Sequence, residues 1–219
     1  MSEDRAGKTT LISLQVPYET LQRDLETFKQ KTLDLGASMA EIIPAHLVEI
    51  DERVRLKCFI PMCIFYNQNP YCPPRAPEPE FMRAALSRYN WAILFALDVK
   101  PVEQFADRPI QMKSGFEWTY KNMEIASKVE TLAFASGYYL AMGLCQFNCL
   151  RVLCRQEHCV VLDGDKCPCA LMARPSMEGL GIDVFRLVTK VGWDIYPIYQ
   201  TVDPKAVPRA LTVGIVFVY

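Results

Sequence analysis

A chain of 219 residues, half of them hydrophobic, has enough apolar material for one sizeable core or two small ones. Its 24 basic and 25 acidic residues leave a net charge of −1, without the basic field that a nucleic-acid binder carries, so no nucleic-acid partner is expected. The opening stretch MSEDRAGKTT is polar and has no apolar h-region, so no secretory leader is read and a cytoplasmic location is expected.

In chain order, residues 9–16 (TTLISLQV) alternate weakly and suggest a strand. Residues 18–35 place Leu21, Leu25, Phe28, Leu33 and Leu35 near helical spacing, with Gly36 as the stop. A strand is expected within 39–50, ending at HLVEI. A cysteine-rich stretch follows, KCFIPMCIFYNQNPYCPPRAP at 57–77. Residues 78–89 read as a helix whose start is set by Pro77 and Pro79. WAILFALDV at 91–99 is a continuous apolar run of central-strand length. Residues 115–145 read as one long helix, polar first and apolar later. Its apolar part, within 131–147, is slightly short for a membrane span and rich in small residues, so a buried helix is expected instead. Residues 179–193 suggest a helix closed by Gly192. DIYPIY and ALTVGIVFVY suggest the last two strands. The last has no charged residue to guard an edge, so it is expected either inside the sheet or at a subunit contact, which admits a homodimer. The fold class expected is mixed α/β (α+β): one domain over 1–219, a mixed sheet flanked by helices, and two Cys-rich loops near 57–77 and 145–170.

Nine cysteines without a secretory leader point to metal or redox chemistry rather than to a disulfide framework. The first set, Cys58, Cys63 and Cys72, is spaced C-x4-C-x8-C. The second segment carries Cys145, Cys149, Cys154, Cys159, Cys167 and Cys169. Within it, Cys149, Cys154, Cys159 and Cys167 form a four-thiolate series able to ligate the four irons of a cubane. Prolines after Cys72 and Cys167 stiffen the chain leaving each ligand. Structural zinc prefers paired C-x2-C knuckles, and no C-x2-C occurs, so zinc is the less favoured cofactor. Nine buried small hydrophobes would be the non-functional reading, which this clustering disfavours.

CIFYNQNPYCPPRAPEPE at 63–80 and KCPCALMARPSMEGLGIDVF at 166–185 resemble a family of predicted metal-binding proteins, domain of unknown function 2284. Its members show a Cys pair, an aromatic-containing segment and Cys-Pro-Pro, then a Cys triplet, a further Cys and Ala-Arg-Pro-Ser-Met-Glu running into Gly-Ile-Asp-Val. Ala173–Glu178 and Gly181–Val184 are the most specific parts of the likeness. Cys63, Cys72 and Cys167 fall on the pattern directly. Cys58 and the series Cys149, Cys154, Cys159 are more widely spaced than the family's, while Cys145 and Cys169 are additions. The resemblance implies a cysteine-ligated metal site of iron–sulfur type and no particular reaction.

Cys145, at the end of an expected buried helix, is preferred as fourth ligand of the first set. The alternatives are Cys169, His158 or none, and an open iron would bind substrate. His158 reads either as a ligand or as a solvated loop residue. His46 reads as structural. Arg174 reads either as a partner for cluster sulfide or an anion, or as part of a helix start at Ser176. DGD at 163–165 lacks the spaced carboxylates of a cation loop and reads as a turn. No nucleotide-loop, dinucleotide or nucleophile-elbow motif occurs. The leading expectation is an iron–sulfur protein with two [4Fe–4S] clusters, held by Cys58, Cys63, Cys72 and Cys145 and by Cys149, Cys154, Cys159 and Cys167, passing electrons to a redox partner protein. The alternatives are a cluster-dependent lyase or sulfur-transfer enzyme with an open iron, and a zinc-stabilised interaction module.

Overall fold

The computed structural model describes residues 10–199 and 202–219, so the polar N-terminal stretch lies almost wholly outside the described residues. Four strands form one sheet: β1 (Met39–Pro44), β2 (Trp91–Asp98), β3 (Met142–Leu144) and β4 (Leu211–Phe217), in the order β1-β2-β4-β3. All three pairings are antiparallel, which corrects the expected mixed sheet. A continuous apolar run is the mark of a strand covered on both faces, and here helices cover both faces of an antiparallel sheet.

Helices α1 (Tyr18–Asp34), α2 (Glu52–Phe59), α3 (Pro79–Leu86), the short turns α4 (Glu103–Ala106) and α5 (Arg108–Ile110), α6 (Phe116–Ala135) and α7 (Val184–Lys190) complete the chain's regular helices. Alternate residues of β2 point to opposite layers. Ile93, Phe95 and Leu97 meet Leu25 and Phe28 of α1 and Ile125 and Val129 of α6. Ala92, Leu94 and Ala96 meet Met82 and Leu86 of α3, Leu187 and Val188 of α7, and the Met177–Ile182 segment. Every residue of β4 is buried, and β4 lies inside the sheet, as its uncharged sequence requires.

Several elements differ from the sequence reading. Thr9 of the expected first strand lies outside the described residues, and residues 10–16 form no strand. DIYPIY forms none either. The strand in 39–50 ends at Pro44, and Ala45–Leu47, with exposed His46, forms a 3-10 turn. The expected long helix stops at Ala135, where Ser136 and the left-handed Gly137 (φ +100°) turn the chain back into β3. Among the described residues, no helix is long and apolar enough to cross a membrane. Helix α7 starts late, because Ile182 first bridges to Ile50 and the Gly181 carbonyl accepts from the Asp51 amide at 2.8 Å. Asp183 then caps it by accepting from the Arg186 amide at 3.0 Å. Helices α1 and α3 and strand β2 lie where the pattern places them.

Gly214 faces Phe95 across the β2–β4 pair, and the phenylalanine ring lies where a Cβ at 214 would stand. Gly214→Ala is expected to cost about 1–3 kcal/mol by overpacking and to lower Tm by several degrees. An unchanged Tm by calorimetry would show that the ring moves aside freely.

Candidate metal centre

The first thiol loop leaves α2, whose start is capped by Asp51 accepting from the Arg53 amide at 2.8 Å. Cys58 sits in the last turn of this helix, and the Cys63 amide donates to the Cys58 carbonyl at 3.0 Å. The left-handed Asn67 (φ +60°) then reverses the chain, and its amide donates to the Pro73 carbonyl at 2.7 Å. The loop between Cys63 and Cys72 therefore folds back, as its Asn and Pro content predicts. Burial first, and then the charges of Cys63 and Cys72, raise the Cys58 thiol to about 11, so Cys58 lies within the field of the other two sulfurs.

Cys72 is the best-furnished sulfur of the three. The side-chain amides of Asn148 and Asn69 donate to its Sγ at 3.2 and 3.6 Å. Both asparagines are buried. The Oδ1 of Asn69 accepts from the Tyr71 amide at 2.7 Å, and that of Asn148 accepts from the Leu150 amide at 2.9 Å. Each amide group is thereby fixed with its NH2 towards the sulfur. Burial raises the Cys72 thiol, and these two donors pull it down. Cys63 Sγ accepts from the Phe65 amide at 3.4 Å. Such N–H···S donors suit sulfurs that carry charge, as metal-bound thiolates do.

The second segment is built from tight turns. Cys149 precedes the turn Leu150–Cys154, which ends at left-handed Arg155 (φ +53°). Cys159 precedes the turn Val160–Asp163, closed by left-handed Gly164 (φ +95°), so DGD forms part of a turn. Cys149, Cys154, Cys159 and Cys167, the four expected together, line one cavity of about 130 Å³ with Tyr71 of the first loop. Burial first, and then the fields of Cys154, Cys159, Cys72 and Cys167, raise the Cys149 thiol to about 12. All nine cysteines are free. Among the described residues, no three cysteine, histidine, aspartate or glutamate side chains are grouped closely enough to hold a metal ion as they stand. The four thiols instead border a space.

Cys169, an alternative fourth ligand of the first set, would point away from Cys167 if its segment were extended. Residues 168–172 form a turn instead, with the Ala173 amide donating to the Cys169 carbonyl at 2.8 Å. The Cys154 thiol stands 3.8 Å from Cys169 Sγ, so Cys169 joins the rim of the second set. Cys145 follows β3 and is fully buried. Its Sγ donates to the carbonyls of Arg174 and Pro175 at 3.3 and 3.5 Å. Burial raises its thiol, with the charge of Cys149 next and that of Glu178 after it; Glu178 also bears on Cys58. Withdrawal from water raises the Glu178 carboxyl to about 7, although part of the residue still meets solvent. His158 is exposed, with Nε2 2.6 Å from Asp163 Oδ2, at the cavity's outer wall.

Two ion pairs hold these loops. Arg55, buried on α2, donates to Glu78 at 2.9 and 3.1 Å and to the Pro77 and Ala76 carbonyls at 3.0 and 3.3 Å. It ties the start of the first loop to its end. Arg174 makes a two-pronged pair with Glu130 of α6 at 2.7 and 2.8 Å, and the same carboxylate accepts from the Gly143 amide at 2.6 Å. Gly143 leaves room for this approach, because a Cβ there would stand 2.9 Å from the Ala126 carbonyl oxygen. Arg174 is therefore a brace, and Ser176, accepting from the Gly179 amide at 3.0 Å, caps a local turn. Arg55, Asn69, Asn148 and Glu178 have roles that the sequence reading missed. The available signals were the Arg–Glu bracket around the loop and the asparagine directly before Cys149.

The model of a family described as Predicted metal-binding protein (DUF2284) matches residues 41–217, a span that includes both thiol sets. No curated protein and no solved structure matches the chain.

Arg55→Met removes the tie across the first loop and leaves the Ala76 and Pro77 carbonyls without their donor. The expected cost is about 1.5–3 kcal/mol, with new proteolytic cleavage between residues 56 and 77 of the metal-free protein. Unchanged Tm and unchanged resistance to cleavage would show that the loop is held by other contacts.

Proposed function

We propose, for a chain that belongs to the DUF2284 family of predicted metal-binding proteins, that its two thiol sets hold two [4Fe–4S] clusters and that it carries single electrons to a partner protein. The observation that carries this reading is the cavity lined by Cys149, Cys154, Cys159 and Cys167, which brings four thiols to one space. Burial first, and then the charges of neighbouring thiols, raise Cys149 and Cys154; a bound cationic core would reverse that sign and favour the thiolates. Clusters of this kind supply one-electron oxidation and reduction. The chain's own groups do the rest. Asn69 and Asn148 donate to Cys72 and stabilise added negative charge there, while Tyr71 covers the second set. Asn148 joins the sets directly, since it bonds Cys72 and precedes Cys149. Free thiols throughout suit a reducing, cytoplasmic setting.

A second reading rests on Cys145. Its thiol is occupied with two backbone carbonyls. That favours a first cluster held by Cys58, Cys63 and Cys72 with one open iron, and hence a lyase or sulfur-transfer enzyme.

Anaerobically purified protein is expected to contain about eight irons and as much sulfide per chain, with no stoichiometric zinc. Cys149→Ser, Cys154→Ser, Cys159→Ser or Cys167→Ser should each remove about half the iron, one cubane of the two. Cys145→Ala decides between the two readings. Loss of half the iron closes the first site with protein, whereas full iron with an EPR spectrum altered by small added ligands opens it. Zinc without sulfide would remove both.

A further inference from the structure

The first thiol loop carries an apolar face that no part of the described chain covers. Leu56, Phe59, Ile60, Met62 and Ile64 are 51, 39, 70, 70 and 58% exposed, all within nine consecutive positions. Cys58 and Cys63 lie among them and are themselves half-buried. Large apolar side chains exposed together mark an interaction surface. Within the segment itself the charge is one-sided, since no acidic residue occurs between 53 and 77, while Glu178 bears on Cys58 from outside it. Of the four cations there, Arg53 is paired with Asp51, and Arg55 is buried against Glu78. Lys57 and Arg75 remain exposed, Arg75 bonded only through its Nε to the neutral side chain of Asn67 at 2.7 Å.

We infer that this face is the docking surface for an acidic one-electron carrier protein of the ferredoxin or flavodoxin class, an inference that rests on the electron-carrier reading above. The apolar centre excludes water over the half-buried Cys58 and Cys63, and Lys57 and Arg75 form a positive rim that steers an acidic partner. Cys58, Cys63 and Cys72 would hold the donor cluster, which would supply one electron to the partner's oxidised centre. The cluster is oxidised by one electron, the partner is reduced by one, and no bond forms or breaks. Weak redox encounters of this kind bury small interfaces, for which a patch of this length is sufficient. A lipid surface fits less well, because electrostatic membrane binding calls for about four to eight clustered cations and this face presents two.

The test is calorimetric titration of the anaerobically purified full chain with two probes, an acidic [2Fe–2S] ferredoxin and an acidic flavodoxin, with iron and sulfide measured on the same samples. At least one probe should bind, and about tenfold more weakly when salt is raised from about 50 to 500 mM. Lys57→Glu with Arg75→Glu should weaken binding about tenfold, and Ile60→Asp with Met62→Asp should abolish it. Iron content and reduction by dithionite should stay at the parent level in both variants. Failure of both probes to bind, or binding indifferent to these four substitutions, overturns the proposal. So does self-association or capture by anionic phosphatidylserine vesicles that the same substitutions abolish. A chain without iron that binds a probe through this face keeps the docking surface and removes the carrier reading, so the two failures are told apart.

Discussion

Two arginine–glutamate pairs hold both thiol loops on a fold that would otherwise give them little support. Arg55 and Glu78 close the first loop, and Arg174 and Glu130 fix the return of the second against α6. The loops need such bracing because turns and short irregular helices replace regular ladders along most of their length. Each tie also satisfies backbone groups. Arg55 serves two carbonyls at the end of its loop, and Glu130 serves the Gly143 amide at the start of β3. Removing Arg55 would leave its two carbonyls, and removing Arg174 the Ala173 carbonyl and the Glu130 carboxylate, in need of new partners, which is costlier than losing a surface ion pair.

The sheet explains why the braces stand where they do. Helix α6 packs on it through Ile125 and Val129 and presents Glu130 towards β3. Cys145 follows β3, and its backbone exchanges bonds with the Ala-Arg-Pro-Ser-Met-Glu stretch, donating to Pro175 and accepting from Met177 at 3.0 and 2.9 Å. The second thiol set is thus hung between a strand end and a braced return. The first set meets it through Asn148 on Cys72 and through Tyr71 on the cavity wall. The rings of Phe65 and Phe147, 4.9 Å apart, add an apolar seam between the loops.

Where a pattern depends on local periodicity, the sequence was legible. Helix α1, with its glycine stop, and the apolar runs of β2 and β4 needed only spacing and length to be read. The misreadings share a cause: each depended on partners far along the chain. TLISLQV at 10–16 and DIYPIY at 194–199 have strand-like residues but no strand to pair with. The apolar stretch after Ala135 has helical composition, yet Gly137 and the demand of β4 for a neighbour turn it into a strand. At the site, the grouping of Cys149, Cys154, Cys159 and Cys167 was readable from spacing alone. Asn148 on Cys72 was not, because that bond joins residues 76 positions apart. Nor was the placement of Cys169, which turns on whether Pro168 begins a turn or continues a strand.

The central claim is that two separate sets of thiolates each surround a multi-iron core. Diffraction from crystals of the anaerobic protein, with data on both sides of the iron absorption edge, tests it most directly. The account predicts two iron peaks, one enclosed by Cys149, Cys154, Cys159 and Cys167 and one against Cys58, Cys63 and Cys72. A single-atom peak at the zinc edge, or iron absent from the space those four sulfurs enclose, would contradict it.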